Sequence, residues 1–275
     1  SQATAAPPPK PKPSAPPRNR RPRARRDVGT AWLVLLGLLV VAAAPLLTDL
    51  KRPGLFTLDE ERAVGTAIET WQRRADFQGA HERLDPWVPI YLGQLRYNQP
   101  PGASWLHVAA ISVSHDSPHP PDAISDLRWA SVVMTLLLIA SVFWAGHNIG
   151  GLLTGVLSAL VAMTLPLLMF FGRIAVPDVP TAAYAALAMA SALWAMRPLR
   201  RNPTLARQFL GWLICGSAIG CAALTTGPAV LPIIILPIVA IAAIKVVKPS
   251  VAKQRVIAAF TPYSIDRRAI VAASA

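Results

Sequence analysis

The residues of this chain that are best suited to chemistry are three carboxylates followed by an arginine, Asp59-Glu60-Glu61-Arg62. A carboxylate can accept a proton during a reaction, and a guanidinium can hold an anionic group such as a phosphate. A further carboxylate, Asp178, lies far along the chain between apolar segments. An ionised side chain at membrane depth is costly, which favours a functional role. These acids are candidates for a single site if the fold brings them together.

The elements that must position these residues are membrane-spanning helices, because the chain is unusually apolar. Of its 275 residues 53% are hydrophobic and only 15% are charged, and the mean hydropathy is +0.42. A soluble domain carries about 25% charged residues. Six apolar runs approach the roughly 20 residues that cross a bilayer; they are 30–48, 128–146, 152–172, 179–196, 208–225 and 228–247. We therefore predict an all-α, multi-pass helical membrane protein with about six transmembrane helices.

The basic residues predict how these helices are oriented. The formal net charge is +13, and the basic clusters lie in residues 1–28, 197–207 and 245–255. All three clusters fall on one side of the membrane if the short run 102–114 does not cross, and basic loops face the cytoplasm. We therefore predict that 102–114 is an interfacial helix, that the N-terminus is cytoplasmic, and that loop 49–127 faces outward. In a bacterium this would be an inner-membrane protein.

Composition also divides the chain into a core and two tails. Residues 1–28 are basic and rich in Pro and Ala, so we expect a disordered cytoplasmic tail that touches anionic membrane lipid and not nucleic acid. Residues 29–247 form the predicted transmembrane core. Residues 248–275 form a second basic cytoplasmic tail. The chain begins at Ser1 and not at a methionine, so we expect that its natural start is missing.

The first outer loop is predicted to begin with an amphipathic helix. Thr57 and Glu60 have the spacing of a capping box, in which each side chain bonds the other residue's backbone. Val64, Ile68 and Trp71 then recur at helical spacing, which is typical of a helix lying on a membrane surface. Acids in a first helical turn also stabilise the helix dipole. Asp59 therefore has a purely structural interpretation as well as a catalytic one.

Together these pieces resemble the GT-C membrane glycosyltransferases, and specifically the group of aminoarabinose transferases and protein O-mannosyltransferases. The resemblance covers most of residues 30–247. Members of the group usually continue with more spans and often an outer domain, so the resemblance implies that this chain is the N-terminal part of a longer protein. The resemblance rests on the order and spacing of several short motifs rather than on any one of them. Those motifs are Asp59-Glu60 with Arg62, Trp87-Val88-Pro89, Tyr97-Asn98-Gln99-Pro100-Pro101, Arg128, Arg173 to Asp178, and Thr225-Thr226-Gly227-Pro228.

The resemblance implies an enzyme that moves a sugar from a polyprenyl-phosphate donor to a hydroxyl group of a lipid, glycan or protein at the outer face. It implies a catalytic role for Asp59, Glu60 and Asp178. No cofactor is required, although clustered carboxylates would suit a divalent metal. The residues expected to bind the donor phosphate are Arg62, Arg128, Arg173, Tyr97 and Gln99.

Two positions depart from the family pattern. Gln99 and Thr226 stand where the family has lysines that would face the lipid phosphate. The candidates to replace these cations are Arg62, Arg96, Arg128 and Arg173. The loss of two lysines favours an alternative function, a non-catalytic relative that binds lipid phosphate or supports a complex. A transporter is a third possibility, but the sequence has no internal repeat and the candidate charges gather on one face.

Overall fold

The computed structural model describes residues 24–48, 50–51, 54–76, 88–96, 99–114, 120–196 and 205–246, and most of these residues are helical. The predicted tails lie largely outside these ranges, as does Tyr97, although the first helix begins at Ala24. The elements are α1 (Ala24–Leu46), α2 (Leu58–Asp76), β1 (Ile90–Tyr91), β2 (Gln94–Leu95), α3 (Gly102–Ser114), α4 (Pro120–Gly150), α5 (Leu152–Thr164), α6 (Pro166–Phe171), α7 (Asp178–Ala195), α8 (Leu205–Thr226), a 3₁₀ turn (Pro228–Val230) and α9 (Leu231–Val246).

The predicted class, an all-α multi-pass membrane protein, is confirmed. Within the described ranges three helical segments are long and apolar enough to cross a membrane, namely Gly29–Leu46, Ile124–Gly150 and Leu205–Thr226. The run 152–172 is not one continuous helix, because Pro166 cannot donate a backbone hydrogen bond and forces Leu165 into an extended conformation (φ −71°, ψ 113°). The count of six crossings therefore stays a prediction.

Helices α4 and α7 form the centre of the bundle. On one side, α7 packs closely against α8, with small residues such as Ala188 and Ala218 buried between them. Small side chains let the helix backbones approach, which is how helices associate in a membrane. On the other side, α4 packs against α1 and α5 around Phe143 and Ala159. The central helices hold Arg128 and Asp178 near their ends.

The loop that the sequence predicts to face outward, called the first outer loop below, folds onto the bundle through an apolar cluster. Its buried members come from α2, α3, α4 and the turn before α7; they are Val64, Ala67, Val108, Ile111, Leu127 and Ala175. The predicted cap is formed on one side, since Thr57 Oγ1 accepts a hydrogen bond from the Glu60 amide at 3.1 Å. The reciprocal bond differs from the prediction, because Glu60 Oε2 accepts from the Phe56 amide at 2.8 Å and not from Thr57.

A short β-hairpin follows α2 in the chain. Ile90 pairs with Leu95, and the two-residue turn Leu92-Gly93 has φ values of 51° and 73°. Glu69 fastens this turn to α2, because its carboxylate accepts the amides of Leu92 and Gly93 at 2.9 and 3.0 Å. The hairpin thereby brings the next residue, Arg96, back onto α2.

Helix α3 approaches α8 so closely at Gly102 that no side chain fits there. A Cβ at residue 102 would lie 2.6 Å from the carbonyl oxygen of Leu224. We expect Gly102→Ala to lower the free energy of unfolding by about 1–3 kcal/mol, because backbone must move to admit the methyl group. Gly216→Ala in α8 is the control, since a Cβ there meets no atom within 4 Å. Equal thermal stability of the two variants would contradict this packing.

Candidate functional site

A polar cavity of about 140 Å³ lies where α2, α3 and the start of α7 meet. It brings together Asp59, Gln99 and Asp178, three residues from separate segments that the sequence analysis had singled out. The sequence motifs did not assign the other lining residues to the site. Arg96 was named only as a candidate to replace the two missing lysines. The lining is Asp59, Ala63, Arg96, Gln99, Ala103, Ser104, His107, Pro177 and Asp178.

Asp59 presents its carboxylate to the cavity with little restraint from the protein. It stands in the first turn of α2, and its side chain is 74% exposed. The described ion pair is loose, with Arg62 Nη1 lying 3.8 Å from Asp59 Oδ1. An exposed pair of this kind contributes little to stability, of the order of 0–1 kcal/mol. The Asp59 carboxylate is therefore accessible to a ligand.

Asp178 lines the cavity from a different helix, α7. It is the first residue of α7, and the residue in the N-cap position, Pro177, makes no side-chain cap. Asp178 itself is therefore not the N-cap residue of α7. A carboxylate at a helix N-terminus is stabilised by the helix dipole. The two acids, 119 positions apart in the sequence, thus face one cavity.

Arg96 is the cation that lines the cavity. Its Nη1 donates to Thr66 Oγ1 at 2.8 Å and to the carbonyl of Arg62 at 3.4 Å. The Arg96 guanidinium carbon also lies 5.9 Å from the centroid of the Tyr91 ring. Burial, and then the nearby Arg62 charge, lower the pKa of Arg96. Both causes destabilise the charged form of Arg96. An anionic ligand beside the guanidinium would stabilise that form.

His107 is the most buried polar side chain of the cavity lining. It lies on α3, it is 1% exposed, and its Nε2 has no hydrogen-bond partner among the described residues. Burial lowers the pKa of His107 to about 4, so the imidazole is neutral at neutral pH. A buried polar atom without a partner costs about 1–3 kcal/mol. The sequence signal for this residue was a lone histidine within an apolar run.

Glu60 and Arg128 form a buried ion pair outside the cavity lining. Both side chains are 0% exposed, and Arg128 Nε lies 2.8 Å from Glu60 Oε1. The same Glu60 oxygen accepts the Ala175 amide at 3.3 Å, while Arg128 donates to the carbonyls of Leu50 and Gly54 at 3.3 and 2.7 Å. The pair therefore connects the first outer loop, α4 and the turn before α7. It thereby fixes the positions of the segments that carry Asp59 and Asp178.

The remaining predicted phosphate-binding residues lie around the cavity or outside the described residues. Arg62 contacts Asp59 at the rim, and Arg173 Nη1 donates to Thr48 Oγ1 at 3.2 Å without lining the cavity. Gln99 lines the cavity, whereas Tyr97 is outside the described residues. In the part of the chain that the structure describes, no group of three or more His, Cys, Asp or Glu residues is arranged to hold a metal ion.

The two positions that depart from the family pattern lie at one edge of the site. Gln99 precedes Pro100, and Thr226 precedes Gly227; a Cβ at Gly227 would lie 3.5 Å from the Pro100 ring. The Thr226 hydroxyl is hydrogen-bonded to the Thr181 hydroxyl of α7. Two neutral side chains thus lie close together at the positions where the resemblance implies lysines.

This bundle, with a polar cavity between its first outer loop and α7, has the architecture of a GT-C membrane glycosyltransferase. A sequence profile described as dolichyl-phosphate-mannose-protein mannosyltransferase matches residues 35–263. The chain belongs to that family. The matched region extends into the predicted tail 248–275. A comparison with curated protein sequences found no significant match.

Solved structures with the same fold include two of ArnT from Cupriavidus metallidurans. The apo structure has a TM-score of 0.58 and 21% identity over 73% of this chain and 34% of that one. The structure bound to undecaprenyl phosphate has a TM-score of 0.62 and 20% identity over 78% and 36%. The S. cerevisiae protein O-mannosyltransferase Pmt1-Pmt2 complex bound to the sugar donor has a TM-score of 0.56 and 18% identity over 72% and 26%. This chain therefore spans about a third of ArnT.

Proposed function

We propose that the full-length protein transfers a sugar from a polyprenyl-phosphate carrier to a hydroxyl group at the outer face of the membrane. The observation that carries the proposal is the convergence of Asp59 and Asp178 in one cavity that Arg96 also lines. Family membership supports sugar transfer in general. The related folds support the kind of donor, since one holds undecaprenyl phosphate and another its sugar donor. The acceptor is a lipid, a glycan or a protein.

In the proposed mechanism Asp59 acts as the general base. It takes the proton from the acceptor hydroxyl while the acceptor oxygen forms a bond to the anomeric carbon of the sugar. The bond from that carbon to the phosphate oxygen breaks, and the carrier phosphate leaves with the electron pair. Arg96 stabilises the negative charge on this phosphate, with Arg62 and Gln99 beside it. Asp178, which also lines the cavity, orients the sugar or the acceptor.

Glu60 and Arg128 act by positioning in this proposal. Because both are fully buried and bonded to each other, they do not reach a ligand in the cavity as folded here. They fix the turn at Ala175 and the start of α2, and these elements carry Asp178 and Asp59. Arg173 and Tyr97 are retained as candidate phosphate contacts.

The second candidate function is a non-catalytic relative that binds lipid phosphate. The observation that favours it is the pair of neutral residues, Gln99 and Thr226, at one edge of the site. One assay separates the two functions. Full-length protein in lipid nanodiscs is given a polyprenyl phosphate that carries radiolabelled mannose or aminoarabinose, and both binding and transfer to added membrane extract are measured. Sugar transfer supports the glycosyltransferase function, and binding without transfer supports the non-catalytic function.

Restoring one family cation is expected to strengthen phosphate binding. Gln99→Lys should tighten the affinity for undecaprenyl phosphate about tenfold, because a hydrogen bond to a charged group is worth about 1.5–3 kcal/mol. The gain should shrink as salt is raised. Gln94→Lys is the control, since it adds the same charge at an exposed hairpin position outside the cavity lining. Equal gains in the two variants would mean that the added charge acts non-specifically.

A further inference from the structure

We propose that His107 is a sugar-binding residue, whose Nε2 forms a hydrogen bond with a hydroxyl group of the monosaccharide held between Asp59 and Asp178. The proposal rests on the proposed function, and it adds a residue that the family motifs do not include. Two independent observations carry it. His107 lines the polar cavity, and its Nε2 is buried without a hydrogen-bond partner among the described residues.

The size of the cavity argues for a single small polar group. A volume of about 140 Å³ holds roughly five water molecules and is smaller than the roughly 300 Å³ at which drug-sized pockets begin. A sugar ring or a phosphate group is of this scale, whereas a polyprenyl chain is not. The lining supplies hydrogen-bonding side chains from three elements: Asp59 from α2, Ser104 and His107 from α3, and Asp178 from the start of α7.

The chemistry of His107 favours a hydroxyl over a phosphate. The side chain is neutral at neutral pH, so it offers no charge to a phosphate, whereas Arg96 does. A neutral imidazole nitrogen either donates or accepts one hydrogen bond, and a sugar hydroxyl can do both. Ionised carboxylates accept hydrogen bonds from hydroxyls and repel phosphate. His107 and the two acids therefore suit a sugar, and Arg96 suits the phosphate.

The test compares two ligands and two variants in the full-length protein. We measure the affinity for undecaprenyl phosphate and for the same lipid carrying the transferred sugar. His107→Leu is expected to weaken binding of the sugar-bearing lipid about tenfold and to leave undecaprenyl phosphate binding unchanged. His107→Gln should restore most of the loss, because its amide nitrogen reaches the position of Nε2. The melting temperature of His107→Leu should stay the same or rise, since an unpartnered buried polar atom has been removed.

The outcomes distinguish this inference from the proposed function. If the wild-type protein binds and transfers the sugar, and His107→Leu binds the sugar-bearing lipid as tightly as wild type, the inference alone is overturned. A fall in affinity for both lipids together with a lower melting temperature also overturns it, because it indicates a packing role. If the wild-type protein gains no affinity from the sugar on the lipid and transfers none, the proposed function fails as well.

Discussion

Asp59→Asn is expected to lower the rate of sugar transfer by about 100- to 10,000-fold, because the amide cannot accept the proton of the acceptor hydroxyl. The amount of folded protein in the membrane should be unchanged, since the Asp59 side chain is 74% exposed and its one described ion pair is loose. The measurement is a single-turnover transfer assay on nanodiscs that contain equal amounts of wild-type and variant protein.

Glu61→Gln provides the matched control for Asp59→Asn. It removes a carboxylate from the same helical turn, and Glu61 is exposed and outside the cavity lining. We expect Glu61→Gln to keep transfer within about twofold of wild type, because an exposed charge at this distance is screened by salt. Undiminished transfer by Asp59→Asn would remove Asp59 from the mechanism. Equal losses in the two variants would instead favour the helix-dipole interpretation of the acidic turn.

Glu60→Gln is expected to give the largest loss of stability, about 3–5 kcal/mol, because it leaves Arg128 as a buried charge without its counter-ion. The reciprocal variant, Arg128→Leu, should cost about as much, since Glu60 then keeps its charge with only backbone partners. The free energy of unfolding in mixed detergent micelles measures both effects. Transfer should fall in the same variants, because the pair fixes the segments that carry Asp59 and Asp178.

A double variant and an exposed pair control this stability prediction. Glu60→Leu combined with Arg128→Leu should cost less than the sum of the single changes, because no buried charge is left alone. Arg62→Gln breaks the exposed pair with Asp59 and should cost less than about 1 kcal/mol. A loss of less than about 1 kcal/mol in Glu60→Gln would show that the pair does not hold the outer loop on the bundle.

The sequence predicted the parts of the fold and the site that depend on local pattern and charge. The apolar runs predicted a multi-pass helical protein, which is confirmed. The loop charges put Asp59, Gln99 and Asp178 on one face, and the structure brings these three into one cavity. This prediction could be made from the sequence because residues at the same end of packed helices lie near one another.

Other features could not be read from the sequence, because they depend on three-dimensional contacts. Glu60 and Asp59 are neighbours, yet the turn of α2 sends one side chain into the core to meet Arg128 and leaves the other exposed. The hairpin that brings Arg96 to the cavity has strands of only two residues, too short for a periodic pattern. His107 stood out only as a polar residue in an apolar run, and its unpartnered Nε2 becomes visible only when its neighbours are known.

The most direct test of the central claim is a structure of the full-length protein bound to a sugar-bearing polyprenyl phosphate. The account predicts that the sugar lies between Asp59 and Asp178, within hydrogen-bond distance of His107, and that the phosphate contacts Arg96. The apolar groove between Trp32, Trp144 and Trp194 offers a contrasting location, since it lies on the predicted cytoplasmic side. Sugar and phosphate bound in that groove, with the polar cavity empty, would contradict the account.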